Sequence, residues 1–226
     1  MNRRLPTILD DLFPDSSPEF AAIADTWPEH VIVQMLALVW DAFDRLKTVS
    51  NFRQLDFSKQ YAQLERSLTD LHMIQVTELH AERGTDFESF IPQHEAWEFE
   101  HLTKPSARPP SCEIGFVFRN NYRLRWSVEA KVLKSPTEIS EYLGELENYL
   151  HGGRSPLSPQ AALGAYLVSG PADDLFSTLA SALGQPLTTH NAFPSRPHRL
   201  SQHERDNLPA VTPRNFICHH LVFSLT

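Results

Sequence analysis

Glu113, Glu129 and Lys131 are the residues of this chain whose types and spacing could do chemistry together. From Arg125 to Leu133 the apolar residues Trp126, Val128, Ala130 and Val132 alternate with Arg125, Ser127, Glu129 and Lys131. A strand has a side-chain period of two, so Glu129 and Lys131 fall side by side on the face opposite the apolar set. A second carboxylate, Glu113, precedes them in the neighbouring apolar run. Two carboxylates with an ammonium beside them would suit a cation-assisted attack on a phosphodiester. A divalent cation neutralises phosphate charge and acidifies water, while a lysine orients that water or stabilises the transition state. Hard oxygen donors suit magnesium or manganese. The plain alternative is a charged pair on an exposed strand, worth a fraction of a kcal/mol.

The elements that must position these residues can be read from periodicity. Residues 1–28, rich in Pro, Asp and Ser, are expected to be a loose arm with at most a short helix. From Glu29 to Lys47, Val31, Met35, Leu38, Val39, Ala42 and Leu46 recur at helical spacing. A second helix is expected from Asp56 to Ala81 on Tyr61, Leu64, Leu68, Leu71, Ile74 and Leu79, with Gly84 as its stop. Strands follow over 90–99, 112–119 and 122–133, the last two joined at Asn120-Asn121 as a hairpin. A helix over 137–151 stops at Gly152-Gly153. Then come a small-residue strand over 161–169, a helix over 173–183, a Pro- and His-rich loop to Pro213, and a terminal strand over 216–225.

The hairpin raises a question of register. A two-residue loop would pair Arg119 with Tyr122 and so Glu113 with Val128, placing Glu113 on the wrong face for Glu129. A shared site therefore requires an odd-length loop or a one-residue bulge, for which Gly115 is the expected place.

This order of elements, with Glu113 early in the second strand and Glu129-Ala130-Lys131 in the third, resembles the PD-(D/E)xK nuclease superfamily. The resemblance covers roughly residues 56–169, and it departs from the family pattern in having Glu at 113 and no preceding proline. It implies an α/β, restriction-endonuclease-like core, α-β-β-β-α-β, with a mixed central sheet. It also implies an N-terminal arm and helical extension over 1–55 and a nuclease domain over 56–226. Glu113, Glu129 and the Ala130 carbonyl would hold Mg2+ or Mn2+, and Lys131 would position the water. Glu65, on the helix before the sheet, stands where many members carry a glutamate near the metal. Glu145 and Tyr149 have the spacing of the family's Q-x-x-x-Y element, with Glu for Gln. A solvent-facing glutamate and a packed tyrosine are the ordinary reading of that pair.

The implied activity is endonucleolytic cleavage of DNA, with a restriction or phage-defence system as the setting the resemblance suggests. The alternative is a non-catalytic subunit of the same fold in a nucleic-acid-processing complex. Arg119, Arg123 and Arg125 on the hairpin are the expected nucleic-acid contacts. The formal charge of −8 argues against binding nucleic acid through bulk electrostatics, so dimerisation or a recruiting partner protein is expected. No run of about 18 uncharged apolar residues is present, and Arg3, Arg4 and Pro6 lack the apolar core of a leader, so the cytoplasm is the expected compartment. Two cysteines, Cys112 and Cys218, are expected to be buried thiols. His190, His198 and His203 lack zinc-motif spacing, and adjacent His219 and His220 must point to opposite faces. Arg196, Arg199, Arg205 and Arg214 could touch a phosphate backbone or be scattered charge on a solvated loop. Neither a phosphate-binding loop motif nor a nucleophile-elbow motif occurs.

Overall fold

The computed structural model describes residues 28–56, 61–97, 111–119, 121–206, 208 and 212–225. The expected N-terminal arm, Glu98 and Phe99 at the end of the first strand, nearly all of the loop over 104–111, and Asn120 lie outside these residues. Helix α1 (Glu29–Leu46) buries its whole predicted stripe, from Val31 to Leu46. A short helix α2 (Ser50–Arg53) follows. Helix α3 (Tyr61–Arg83) ends two residues beyond expectation, where Gly84 at φ +56° opens a 3-10 turn.

One member of the expected α3 stripe is misplaced. Ile74 is 49% exposed, and His72 is buried in the core. Two residues turn a helix by about 200°, so the two side chains cannot share a face. His72 belongs inside because both its nitrogens are satisfied: Nε2 donates to the Val39 carbonyl at 2.9 Å, and Nδ1 accepts from the Tyr166 hydroxyl at 2.8 Å.

The remaining elements are β1 (Phe90–Trp97), β2 (Ser111–Phe118), β3 (Asn121–Leu133), α4 (Ser140–Leu150), β4 (Gln160–Leu167), α5 (Ala172–Leu183), β5 (Thr188–Thr189), β6 (His198–Glu204) and β7 (Asn215–Ser224). They build a seven-stranded mixed sheet in the order β1-β2-β3-β4-β7-β6-β5. β1, β2 and β3 form an antiparallel meander, β3, β4 and β7 run parallel, and β6 and β5 return antiparallel. The protein is therefore α/β with a mixed sheet, as expected. α1 and α3 share one core with Trp126, Val128, Ala130 and Val132 of β3. On the opposite face, α4 and α5 pack on Leu163, Ala165, Cys218 and Val222. Both cysteines are buried thiols.

The expected loop to Pro213 is corrected by β6, which lies within it beside β7. Its sequence, HRLSQHE, carries no apolar alternation. Its buried positions are His198 and Ser201 instead, and they bond to His219 and His220 of β7 on opposite faces of the sheet. Three of the loop arginines are engaged within the chain. Arg196 pairs with Asp44 and lies over Trp40, Arg199 lies over Phe176, and buried Arg205 donates to the Ser158 carbonyl. Arg214 is 76% exposed, with Asp206 at 3.7 Å.

The hairpin has the one-position change of register that a shared site requires. Ile114 faces Val128 and Val117 faces Arg125, which brings Glu113 into line with Glu129. The irregularity lies between Val117 and Phe118, where three extra residues of β3, 122–124, are accommodated. It does not lie at Gly115, which pairs regularly with Ser127 and Gln93. Gly115 answers to a different constraint: a Cβ there would lie 2.2 Å from the Ala96 Cβ.

Candidate active site

The site forms where β2 and β3 part. β2 continues beside β1 back to Ser111, but its pairing with β3 stops at Ile114–Val128. Beyond that point two N–H groups on the β3 edge are capped by carboxylates in place of a neighbouring strand. Ala130 N–H donates to Glu113 Oε2, and Val132 N–H donates to Glu65 Oε2 at 3.2 Å. Strand geometry sends the Ala130 carbonyl to the same edge as its N–H. Glu65, from the first turns of α3, thus meets Glu113 from β2 at one opening in the sheet. Glu95 of β1, at φ +46°, falls at the position opposite Glu113.

Lys131 lies at the centre of this opening. Its Nζ is 2.9 Å from Glu65 Oε1, 3.5 Å from Glu129 Oε1, 3.7 Å from Glu145 Oε1 and 3.8 Å from Glu113 Oε1. Glu145 therefore belongs to the site rather than to a solvent-facing helix surface. Tyr149, one turn later on α4, is buried with its hydroxyl 2.9 Å from Ser127 Oγ. Ser127 Oγ also bonds Ser155 Oγ at 2.7 Å, which gives the carboxylates a polar floor.

Arg154 escaped sequence reasoning altogether. It lies in the turn after α4, and its Nη1 is 2.9 Å from Glu129 Oε2, in ionic contact without hydrogen-bond geometry. Its Nε donates to Glu145 Oε2 at 3.1 Å, and Nη1 also donates to the Ser111 carbonyl. An arginine directly after a glycine pair has no motif around it; only the closure of the turn onto β3 gives it a role.

Charge and burial are in tension here. Desolvation is the largest cause raising the Glu113 carboxyl well above the usual range, reinforced by Glu129 and opposed by Lys131. Burial lifts Glu129 to about 7, against the pull of Arg154. Burial would lower the Lys131 ammonium, but Glu113, Glu129 and Glu65 outweigh it and hold it above the usual lysine range. Four carboxylates against two cations leave two formal negative charges uncompensated.

That balance, together with all-oxygen donors, fits a small hard dication. Among the described residues, however, no three His, Cys, Asp or Glu side chains are already arranged to hold a metal ion. The Lys131 ammonium occupies the point of convergence.

Two of the expected nucleic-acid arginines, Arg119 and Arg125, are not brought to the carboxylates. Arg119 is exposed beyond the far end of β2, six residues from Glu113, or about 20 Å along a strand. Arg125 lies above Gln93 of β1, with Nη1 3.5 Å from its Oε1. Arg123 is on β3, but its side chain is outside what the structure describes. A separate open groove of about 470 Å3 lies along α3, lined by Asp70, Met73, Ile74, Thr77, Glu78 and His94. No helix among the described residues is long and apolar enough to cross a membrane.

Comparison with known proteins adds no relative: no family model matches the chain, and neither a curated protein nor a solved structure matches it.

Proposed function

We propose that this protein is a divalent-metal-dependent nuclease with a restriction-endonuclease-like core, hydrolysing phosphodiester bonds of DNA with magnesium or manganese. The observation that carries this reading is the convergence of Glu65, Glu113 and Glu129 on Lys131 at the fork between β2 and β3. The succession α3-β1-β2-β3-α4-β4 supports the assignment of the core. Glu113, Glu129 and the Ala130 carbonyl would hold the cation, with Glu65 beside them. When bound, the cation supplies charge neutralisation at the phosphate and acidifies water. Lys131, with three N–H donors and a fixed charge, turns from its carboxylates to the phosphoryl oxygens and stabilises the charge that grows there. Arg154, itself tied to Glu145, holds Glu129 in place as it does so. The net charge of −8 points to a recruiting partner or a second copy for delivery to DNA, in a cytoplasmic restriction or defence setting.

The test is relaxation of supercoiled plasmid in magnesium by the wild type and by Lys131→Ala. Nicking by the wild type alone is expected. Equal activity in both proteins, or none in the wild type with either metal, rejects the reading. The second reading, a non-catalytic subunit of the same fold, draws on one observation: the groove along α3 with exposed Ile74 at its wall. An inert wild type that captures a nucleic-acid-processing partner, where Ile74→Asp does not, would favour it.

A further inference from the structure

The outer end of the sheet is held by histidines instead of apolar side chains. β6 offers one apolar residue, Leu200, which is only partly buried. Its ties to β7 run through side chains on both faces of the sheet. On the α1 face, His219 Nε2 donates to Gln160 Oε1 at 2.9 Å, so its Nδ1 accepts from His198 Nε2 at 3.1 Å. His198 Nδ1 is then a buried lone pair with no hydrogen-bond partner. On the α4 face, the Tyr142 hydroxyl donates to the Leu163 carbonyl and accepts from His220 Nδ1 at 3.0 Å. His220 Nε2 accepts from Ser201 Oγ at 2.7 Å, and Ser201 Oγ accepts from His203 Nε2 at 2.7 Å. Each of these rings is bonded as a neutral imidazole, and a proton added to His219 or His220 would set donor against donor.

His190, directly after β5, completes the cluster, its ring 4.8 Å from that of His198 and 5.4 Å from that of His219. The surroundings disfavour positive charge. α1 presents Glu29 toward His190, while its Asp41 and Asp44 are already paired with Arg196. β3 presents the Trp126 ring, β4 Gln160, α4 Tyr142 and β7 the Cys218 thiol, all uncharged. Asp173 of α5 lies by Arg199, whose own charge faces His198. Thr188 and Thr189 of β5 carry no charge, and Glu204 is exposed at the end of β6. Burial, the largest cause in each case, lowers all five histidines, His219 and His220 to about 3. The outer edge of β6 is thinly covered: two residues of β5 pair with it, and Gln185 Oε1 accepts from Gln202 N–H.

We propose that the β5–β6 hairpin, residues 188–204, is an acid-released strap over the edge of β7. This device goes beyond the nuclease reading and does not depend on it. The bonded rings cannot take a proton in place, so acid favours the state in which the strap has left and the rings meet water. A released histidine regains its ordinary value near 6.5. Between about pH 7 and 5.5 each one then favours release about 8-fold, and the three most buried, His198, His219 and His220, together about 500-fold. Apolar contacts in their place would not respond to pH. Release bares the β7 edge from Asn215 to Leu221 and the Trp40 ring under Arg196, and a bared strand edge is open to pairing.

The experiment is hydrogen exchange of the full-length chain at about pH 7 and about pH 5.5, read by mass spectrometry and corrected for the intrinsic rate at each pH. Opening of the β6 amides is expected to rise at least about 500-fold between the two, while the β4 amides stay protected. His198→Phe/His219→Phe removes two titrating rings, so its rise should be smaller by about 70-fold. The readout is a ratio between two pH values, so a constant loss of stability in the variant cancels. Unchanged β6 exchange in the wild type, equal loss of protection in β4 and β6, or a variant as pH-sensitive as the wild type overturns the inference. None of these outcomes bears on plasmid nicking, so the two readings fail separately.

Discussion

Each of the four carboxylates around Lys131 is within 4 Å of its ammonium, and removal of that one charge leaves them facing one another. Lys131→Ala should therefore cost both function and stability. Plasmid nicking is expected to fall by at least about 100-fold, the usual cost of one transition-state donor. The metal-free protein is expected to lose about 3 kcal/mol in urea unfolding, as when one partner of a buried ion pair is removed. Magnesium gives a complementary test. Ligand that binds only the folded state raises the melting temperature by mass action, so the wild type should melt higher in millimolar Mg2+ or Mn2+ than without it. Glu113→Gln and Glu129→Gln should show little or none of that increase. A melting temperature indifferent to both metals in the wild type would contradict the assignment of these residues as ligands.

At the level of elements, Gly115 and His72 show how tightly the scaffold is built. Gly115 lets β1 approach β2 where a Cβ would collide with Ala96. Gly115→Val is expected to destabilise the fold by about 1–3 kcal/mol through overpacking, measured as a lower urea midpoint. His72 joins α1, α3 and β4 in its neutral form, and burial lowers it from 6.5 to about 4. The unfolded chain therefore takes up this proton first as pH falls. Stability contributed by neutral His72 is intact above pH 6.5, is lost between about 6.5 and 4, and changes no further below 4. The loss amounts to about 3 kcal/mol. His219 and His220, each lowered to about 3 by burial, extend it in the same direction. His72→Phe should flatten the slope of stability against pH in that window, whatever its own cost at neutral pH. An unchanged slope would mean that His72 is not a principal acid-sensitive group.

For the whole molecule, charge is the property that matters most. With a formal charge of −8 and three of its four arginines engaged internally, the 196–214 region offers little free positive surface for a phosphate backbone. Affinity for DNA at physiological salt should be no better than about 10 μM, in the weaker half of the range of non-specific binding. Fluorescence anisotropy with a labelled duplex checks this. Submicromolar binding by the isolated chain would remove the case for a recruiting partner.

The sequence alone determined what depends on neighbours along the chain. The alternation from Arg125 to Leu133 dictated which residues of β3 enter the core and that Glu129 and Lys131 share the other face, because strand geometry is local. The stripe of α1, the stops at Gly84 and Gly152, and the opposed faces of His219 and His220 were legible for the same reason. Tertiary structure decided what depends on distant partners. β6 is a strand because His198 and Ser201 find bonds on β7, not because its own residues favour one. His72 replaces Ile74 in the core because Val39 and Tyr166 complete its hydrogen bonds. Glu65, Glu145 and Arg154 become one site with Glu113 and Glu129 because β2 leaves β3 at Ile114. The opening that results draws together charges from α3, α4 and the turn behind it, and no local pattern encodes a meeting between segments so far apart.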